Sequence, residues 1–210
     1  MRIERKFVFE NQFQSENIFQ NILKNFVIKK IFESRQINSV YLDTKKLDYL
    51  HDNLSGIKNR IKSRIRFYSD NNTQIIYEEK IKKNEIGFKK KTVLKTDGKI
   101  NLNSENSIKI FKESNFFLKS KYFLKETLFV QYNRKYFIDI FGNFITYDTD
   151  ICFSDVEYFK KPIMYKKAVI EYKIFENNFK NNLFYNFKQR YSRHSKYVAG
   201  MATLNKTSYV

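Results

Sequence analysis

Apolar and polar residues alternate with a period of two along much of the chain, which is the side-chain period of a β-strand. In residues 60–67 the cations Arg60, Lys62, Arg64 and Arg66 alternate with Ile61, Ser63, Ile65 and Phe67. Two unit charges about 5 Å apart repel by about 3 kcal/mol at an effective dielectric constant near 20. The pattern therefore predicts a strand with one cationic face, which either lies opposite a polyanion or belongs to an open sheet that faces water.

The same reading predicts the remaining elements. Further strands are expected at residues 2–9, 40–42, 74–83, 129–137, 144–148 and 169–175. Helical spacing of apolar residues predicts a helix capped by Ser15 and reaching Ile31, a brief helix from Asp43 or Thr44 to Leu54, and helices near residues 104–117 and 177–189. Turns are expected at residues 70–72 and 142–143, and Lys89, Lys90 and Lys91 in a solvated segment. Seven or eight mostly antiparallel strands with helices between them define an α+β class.

Composition narrows the class of partner. The 210 residues include 22 Phe and 15 Tyr, enough for the core of a single folded domain spanning residues 1–210. A formal net charge of +18 favours an anionic partner, such as nucleic acid, an anionic membrane or polyphosphate. The single Cys152 cannot form an internal disulfide, and no run of about 18 apolar residues occurs. We therefore expect a soluble, cytoplasmic protein.

Several common sites are excluded by their missing motifs. The chain has no GxxxxGK[ST], GxGxxG or HExxH segment, and His51 and His194 are far apart in sequence. What remains is a series of strands that carry cations with an occasional carboxylate. If these strands close into a barrel, its lining would bind a linear chain of phosphates, and its carboxylates would hold Mg²⁺ or Mn²⁺ against the phosphate oxygens.

Eight short segments, in order along nearly the whole chain, resemble one known family. They are RIERKF at the N-terminus, VYLDT at 40–44, SRIRFY at 63–68, YEEKIK at 77–82, VQYNRKYF at 130–137, ITYDTD at 145–150, VIEYK at 169–173 and SRHSKYVAG at 192–200. Together they resemble the VTC domain, the polyphosphate polymerase domain of the triphosphate tunnel metalloenzyme (CYTH-like) superfamily.

The resemblance implies a closed, eight-stranded antiparallel β-barrel with helices packed outside it, whose interior binds a nucleoside triphosphate and a divalent metal. The residues implied to act in catalysis are Arg64, Arg66, Lys80, Arg134 and Lys196. Those implied to bind substrate are Lys6, Tyr132, Arg193 and Ser195, and the cationic lining expected of a closed barrel adds Lys82 and Lys173 as substrate-binding residues. Glu171 is implied to be the main ligand of Mg²⁺ or Mn²⁺, with contributions from Glu4, Glu78 and Asp148.

The resemblance also implies an activity. In polymerases of this family the end of a polyphosphate chain attacks the γ-phosphate of ATP, so the expected partners are ATP and polyphosphate or tripolyphosphate, without a membrane. One departure is Phe144, which stands where the family usually has an arginine. Hydrolysis of tripolyphosphate or of nucleoside triphosphates remains an alternative, as does non-catalytic binding of polyphosphate or nucleic acid. Nucleic acid is disfavoured because the chain has no recognisable reader motif.

Overall fold

The computed structural model describes residues 2–68, 74–84, 86–94, 104–114, 123–156, 162–178 and 190–207. These ranges contain the strands β1 (Arg2–Phe9), β2 (Ile28–Asp43), β3 (Arg60–Tyr68), β4 (Ile75–Lys83), β5 (Ile86–Leu94), β6 (Lys125–Asp139), β7 (Phe144–Ser154), β8 (Ile163–Tyr165) and β9 (Ala168–Phe175). They also contain the helices α1 (Gln12–Asn25), α2 (Asp48–Leu54), α3 (Ser104–Glu113) and α4 (Lys196–Thr203), and a short 3-10 helix at Glu176–Asn178. None of these helices has the length and apolar character needed to cross a membrane.

The strands form one sheet in the order β1, β9, β7, β6, β2, β3, β4 and β5, with β8 paired to β7. Antiparallel registers join β1 to β9, β9 to β7, β2 to β3, β3 to β4 and β4 to β5. The predicted α+β class and antiparallel sheet are thus confirmed. The closed eight-stranded barrel needs correction, because nine strands lie in the described ranges and no pairing there joins the end strands β1 and β5.

Two compact units divide the described residues. Unit 1 comprises those within 1–35, 132–151 and 164–194. Its core forms where alternate side chains of β1, β7 and β9, including Phe7, Ile145 and Ile170, pack with Phe19 and Ile22 of α1. Since side chains alternate across a strand, the intervening residues of these strands lie on the opposite face of the sheet.

Unit 2 comprises the described residues within 36–131, 152–163 and 195–210. Val40, Ile65 and Tyr77 lie at opposed register positions on β2, β3 and β4, and they share a core with Ile108 and Phe111 of α3. The rings of Tyr77 and Phe111 stack with centroids 5.1 Å apart. This core again occupies one face of its strands and leaves the other face to polar residues.

The prediction for the first helix was wrong at both ends. The helix starts after Asn11, whose side chain accepts a hydrogen bond from the Phe13 amide at 2.8 Å, and Ser15 lies inside it, donating to the Gln12 carbonyl at 2.6 Å. The chain then enters β2 at Ile28, so Ile31 is in a strand. Strand pairing outweighs the local helical spacing here, and it also extends β2 to sixteen residues, far beyond the predicted 40–42.

Other boundaries follow the sequence more closely. Helix α2 ends at Leu54 as predicted but begins at Asp48, later than the predicted Asp43 or Thr44. Asp43 still stabilises its start, because its carboxylate accepts from the amides of Tyr49 and Leu50 at 2.9 Å. Residues 86–94 form β5, which was not predicted as a strand, although Lys89, Lys90 and Lys91 are exposed as expected. Helix α4 was not predicted at all. The turn predicted at residues 70–72 and nearly all of the helix predicted at 177–189 lie outside the described residues.

Candidate phosphate-binding faces

Unit 1 carries charged residues on the face of β1, β9 and β7 that lies opposite its core. Lys6 and Thr146 are each paired in register with Glu171, and Glu4 is paired with Lys173. We call this the unit 1 face and define it by the residues Glu4, Lys6, Arg134, Thr146, Asp148, Glu171 and Lys173. The sequence pattern had predicted the alternation of these residues, and the register brings them into neighbouring rows.

Glu171 is the acidic centre of the unit 1 face. Its carboxylate lies 3.1 Å from Lys173 Nζ and 4.0 Å from Lys6 Nζ, and its side chain is 13% exposed. Burial alone would raise the pKa of Glu171, but the positive charges of Lys6, Lys173 and Arg134 outweigh burial and hold that pKa well below its ordinary value. Glu171 is therefore an ionised acceptor at neutral pH.

Arg134 and Asp148 form a bidentate ion pair on the same face. Arg134 Nε donates to Asp148 Oδ1 at 2.6 Å and Nη2 donates to Oδ2 at 2.7 Å, and Asp148 is fully buried. The guanidinium also lies 5.2 Å from the centre of the Tyr132 ring. Burial would lower the pKa of Arg134, yet Asp148 raises it above its ordinary value. The predicted phosphate contact and the predicted metal ligand are thus partners of each other.

The end of the unit 1 face differs chemically from its centre. Phe144 is paired in register with Lys173, and its ring meets that of Phe175 edge-on with centroids 6.1 Å apart. Lys6 Nζ donates to the His194 carbonyl at 3.0 Å, which ties β1 to the segment that precedes α4. Arg193 beside it is exposed. An aromatic pair therefore occupies the position where the family pattern predicts a cation.

Unit 2 carries a second charged face on β3, β4 and β5. Arg64 is paired in register with Glu78, and Lys62, Lys80 and Lys89 occupy one row across the three strands. We call this the unit 2 face and define it by the residues Lys62, Arg64, Arg66, Glu78, Lys80 and Lys89. Like charges directly opposite each other destabilise a sheet, so this row favours an anion as its neighbour.

Glu78 is buried among three cations of the unit 2 face. One carboxylate oxygen, Oε2, accepts from Arg64 Nη2 at 2.6 Å and lies 3.7 Å from Arg66 Nη1, and the other, Oε1, lies 2.6 Å from Lys89 Nζ. Burial alone would raise the pKa of Glu78, but these three charges lower it far below its ordinary value. Burial lowers the pKa of Lys89 to about 8, although 42% of its side chain is exposed.

Tyrosines hold the cations of the unit 2 face from the side of β2. Arg64 Nη1 donates to the Tyr41 hydroxyl at 3.3 Å, and the Tyr41 ring stacks on Tyr197 of α4 with centroids 5.0 Å apart. The Tyr197 hydroxyl in turn donates to Asp43 at 2.6 Å. Lys62 Nζ donates to Ser195 Oγ at 2.9 Å at the start of the same helix. Hydrogen bonds to Tyr41 and Ser195 thus hold Arg64 and Lys62 in place before any ligand binds.

The structure distributes the fifteen predicted site residues over both units. Unit 1 contains Glu4, Lys6, Tyr132, Arg134, Asp148, Glu171, Lys173 and Arg193. Unit 2 contains Arg64, Arg66, Glu78, Lys80, Lys82, Ser195 and Lys196. Sequence reasoning placed Lys62 on a cationic strand face but did not include it among the site residues, nor did it include Tyr41, Lys89 or Thr146. Lys62 shares the strand parity of Arg64 and could have been included, whereas Lys89 depended on recognising β5.

The donor atoms of the unit 1 face fit a hard divalent cation. Glu4 and Glu171 supply carboxylate oxygens, whereas both oxygens of Asp148 already accept hydrogen bonds from Arg134. No group of three or more potential metal-ligating side chains (His, Cys, Asp or Glu) is found within the described ranges. This set suits Mg²⁺ or Mn²⁺, because such ions are commonly held by one or two carboxylates together with phosphate oxygens.

Solved structures with little sequence identity share this fold. The PH1819 protein of Pyrococcus horikoshii OT3 matches with a TM-score of 0.55 and 13% identity over 99% of this chain and 100% of that chain. HpAC1 of Hippeastrum, a proposed adenylyl cyclase, matches with a TM-score of 0.58 and 15% identity over 97% of this chain and 96% of that chain. No curated protein matches the sequence.

The class defined by these comparisons is a mostly antiparallel sheet protein with charged strand faces. The VTC domain family matches residues 1–205, and the chain therefore belongs to the VTC domain family. This confirms the family that the eight sequence segments resemble.

Proposed function

We propose that the chain is a metal-dependent phosphotransferase of the polyphosphate polymerase type, which transfers the γ-phosphate of ATP to the end of a polyphosphate chain and releases ADP. Membership of the VTC domain family supports the reaction class. The observation that carries the proposal is the density of preformed cations on the two faces, above all the row of Lys62, Lys80 and Lys89 on adjacent strands. Neighbouring charges at this spacing repel by about 3 kcal/mol at an effective dielectric near 20, and a polyanion would relieve that repulsion.

The residues of each face, taken by itself, suit phosphoryl transfer without a covalent nucleophile. Transfer requires alignment of the attacking and leaving oxygens and neutralisation of charge on the oxygens of the transferred group. Arg64, Arg66 and Arg134 supply planar guanidinium donors that can bind two phosphate oxygens, whereas Lys6, Lys80 and Lys173 supply point charges. A divalent cation, when bound by Glu171 and phosphate oxygens, would add positive charge at the reacting phosphate.

The substrate-binding cations are proposed to be positioned by carboxylates before substrate binds and to contact phosphate during the reaction. Lys6 and Lys173 contact Glu171, and Arg134 contacts Asp148. These carboxylates therefore hold the three cations on the unit 1 face before substrate binds. Phosphate oxygens would compete with these carboxylates for the same donors. Lys82, Lys196, Arg193, Ser195 and Tyr132 complete the proposed set, with the hydroxyls orienting phosphate oxygens. The aqueous cytoplasm, where ATP is available, is the proposed location.

Hydrolysis of tripolyphosphate or nucleoside triphosphates is the second candidate. HpAC1 of Hippeastrum, which shares this fold, is described as having a dominant triphosphatase activity. Hydrolysis and polymerisation differ in the acceptor, water or a terminal phosphate, and the cations required by both are the same.

Incubation of the purified chain with ATP and Mn²⁺ or Mg²⁺ tests the proposal. Long polyphosphate, resolved on a gel, is the expected product, whereas free phosphate would support hydrolysis instead. Glu171→Gln should reduce metal-dependent turnover at least about a hundredfold, while tripolyphosphate affinity in the absence of metal is retained or rises, because Lys6 and Lys173 no longer pair with a carboxylate. Glu33→Gln, which alters an exposed carboxylate paired with Lys30, is the matched control and should retain full turnover. Tight tripolyphosphate binding with no product would leave only a binding function, and unchanged turnover of Glu171→Gln would remove Glu171 from the metal site.

A further inference from the structure

Thr146 has a buried hydroxyl that the fold itself does not use. The residue is 4% exposed, and its Oγ1 has no hydrogen-bond partner in the described part of the chain. A buried hydroxyl without a partner loses its hydrogen bonds to water and gains nothing in return. Valine would fill the same strand position with an equally favourable β-branched side chain. The presence of threonine here therefore indicates that a bound ligand supplies the hydrogen-bond partner.

The position of Thr146 indicates what that partner is. Thr146 is paired in register with Glu171, which is paired on its other side with Lys6, so these three residues form one row of the unit 1 face. Asp148, two residues further along β7, is already occupied by Arg134. The hydroxyl thus lies in a row whose cations attract anions, and a hydroxyl donates readily to an anionic oxygen.

Charged side chains on the same face as Thr146 can rearrange when an anion binds. Lys6 and Lys173 are 27% and 17% exposed, and each contacts Glu171 through a flexible four-carbon stem. An anion that draws the Lys6 ammonium away from Glu171 is then bound on the row that Lys6 and Glu171 share with Thr146. The row of Lys6, Glu171 and Thr146 then offers the anion two kinds of donor, the ammonium of Lys6 and the uncharged hydroxyl of Thr146.

We propose that the Thr146 hydroxyl donates a hydrogen bond to a phosphate oxygen of the bound substrate, and that it has no partner among the described residues for this reason. The inference rests on the proposed function, because it takes a chain of phosphates as the ligand. It adds to that function an uncharged, directional hydrogen bond, which forms only when a phosphate oxygen lies at the right position beside the Thr146 hydroxyl. Thr146 is then a substrate-binding residue whose loss weakens binding without weakening the fold.

Opposite effects of one substitution on binding and on stability test this proposal. In the full chain, Thr146→Val should bind tripolyphosphate about tenfold more weakly in calorimetry, both with EDTA and with Mg²⁺, while its urea midpoint is unchanged or higher. Thr146→Ser keeps the hydroxyl and should retain affinity within about twofold. Thr149→Val is the matched control: Thr149 is equally buried on the same strand, but its hydroxyl donates to Asp150 Oδ2 at 3.1 Å, so this variant should lose stability and keep its affinity.

Each contrary result has a distinct meaning. Wild-type affinity in Thr146→Val would overturn the inference and leave the proposed function intact, as would a loss of stability equal to that of Thr149→Val. Weaker binding only in the presence of Mg²⁺ would overturn the direct contact with phosphate, since the hydroxyl would then act through the cation. A folded wild-type chain that binds no tripolyphosphate would overturn both proposals. Thr146→Ala provides the same comparison should the valine variant fail to fold.

Discussion

Replacement of Glu78 by glutamine tests the electrostatic account of the unit 2 face. The substitution keeps the size of the side chain but leaves Arg64, Arg66 and Lys89 without their shared carboxylate. Removing one partner of a buried ion pair costs about 3–5 kcal/mol. Because 23% of the Arg64 side chain and 42% of the Lys89 side chain are exposed, water relieves part of this cost. We therefore expect the free energy of unfolding to fall by about 3 kcal/mol at pH 7.

The loss should depend on pH in a defined direction. The folded-state pKa of Glu78 is depressed, so the stability it contributes is present above the ordinary pKa of 4.5 and is lost as the pH falls below that value. The loss amounts to about 1.4 kcal/mol for each pH unit. The difference between wild type and Glu78→Gln should accordingly shrink from about 3 kcal/mol at pH 7 to about 1 kcal/mol at pH 3.

Urea unfolding followed by circular dichroism at pH 7, 5 and 3 measures this difference. Glu126→Gln is the matched control, because Glu126 forms a more exposed ion pair with Lys112 at 3.2 Å and should cost less than about 1 kcal/mol. A loss below 1 kcal/mol in Glu78→Gln, or a loss that does not change with pH, would refute the counter-ion role. Weaker Mn²⁺ binding with unaltered stability would instead support the metal-ligand role predicted from sequence.

Two further substitutions probe particular packing contacts. Phe144→Arg places a guanidinium opposite Lys173 and should tighten tripolyphosphate binding about tenfold in calorimetry, at a cost of about 1 kcal/mol for the lost contact with Phe175; unchanged affinity would show that this position does not reach the ligand. Gly200→Ala brings a Cβ within 2.5 Å of Leu128 Cδ2 and 2.7 Å of Phe153 Cδ1, so urea unfolding should show a loss of about 1–3 kcal/mol, and a neutral result would mean that these side chains move aside freely.

Strand faces could be predicted from the sequence because they depend on a local rule. Side chains alternate across any strand, so Arg64 and Arg66 share a face whatever their neighbours are, and the same holds for Glu171 and Lys173. Helix α1 and strand β2 could not be delimited in this way. The segment around Ile31 has helical spacing, but it pairs in the sheet, and that pairing depends on residues distant in sequence.

Ion pairing on the two faces depends on register, which the sequence does not state. A shift of one residue in the pairing of β3 with β4 would move Glu78 to the opposite side of the sheet from Arg64. The turn that sets this register could be located only approximately, so Glu78 was interpreted as a metal ligand and its three cationic partners were not anticipated. The Thr146 hydroxyl, which has no hydrogen-bond partner in the described ranges, was equally hidden, because the absence of a partner depends on the tertiary structure.

Buried carboxylates on each face fix the orientation of the cations before a ligand binds, which cations alone would not achieve. A row of unpaired cations would be held apart by repulsion, and each would need to be ordered again when a ligand binds. Glu78 on one unit and Asp148 on the other fix Arg64 and Arg134 in bidentate or near-bidentate geometry before binding. A phosphate then meets donors whose orientation is already set, but it must compete with a carboxylate for them. Binding should therefore favour ligands with several adjacent phosphates, which can engage many donors at once, over single phosphates, which would displace one carboxylate for little gain.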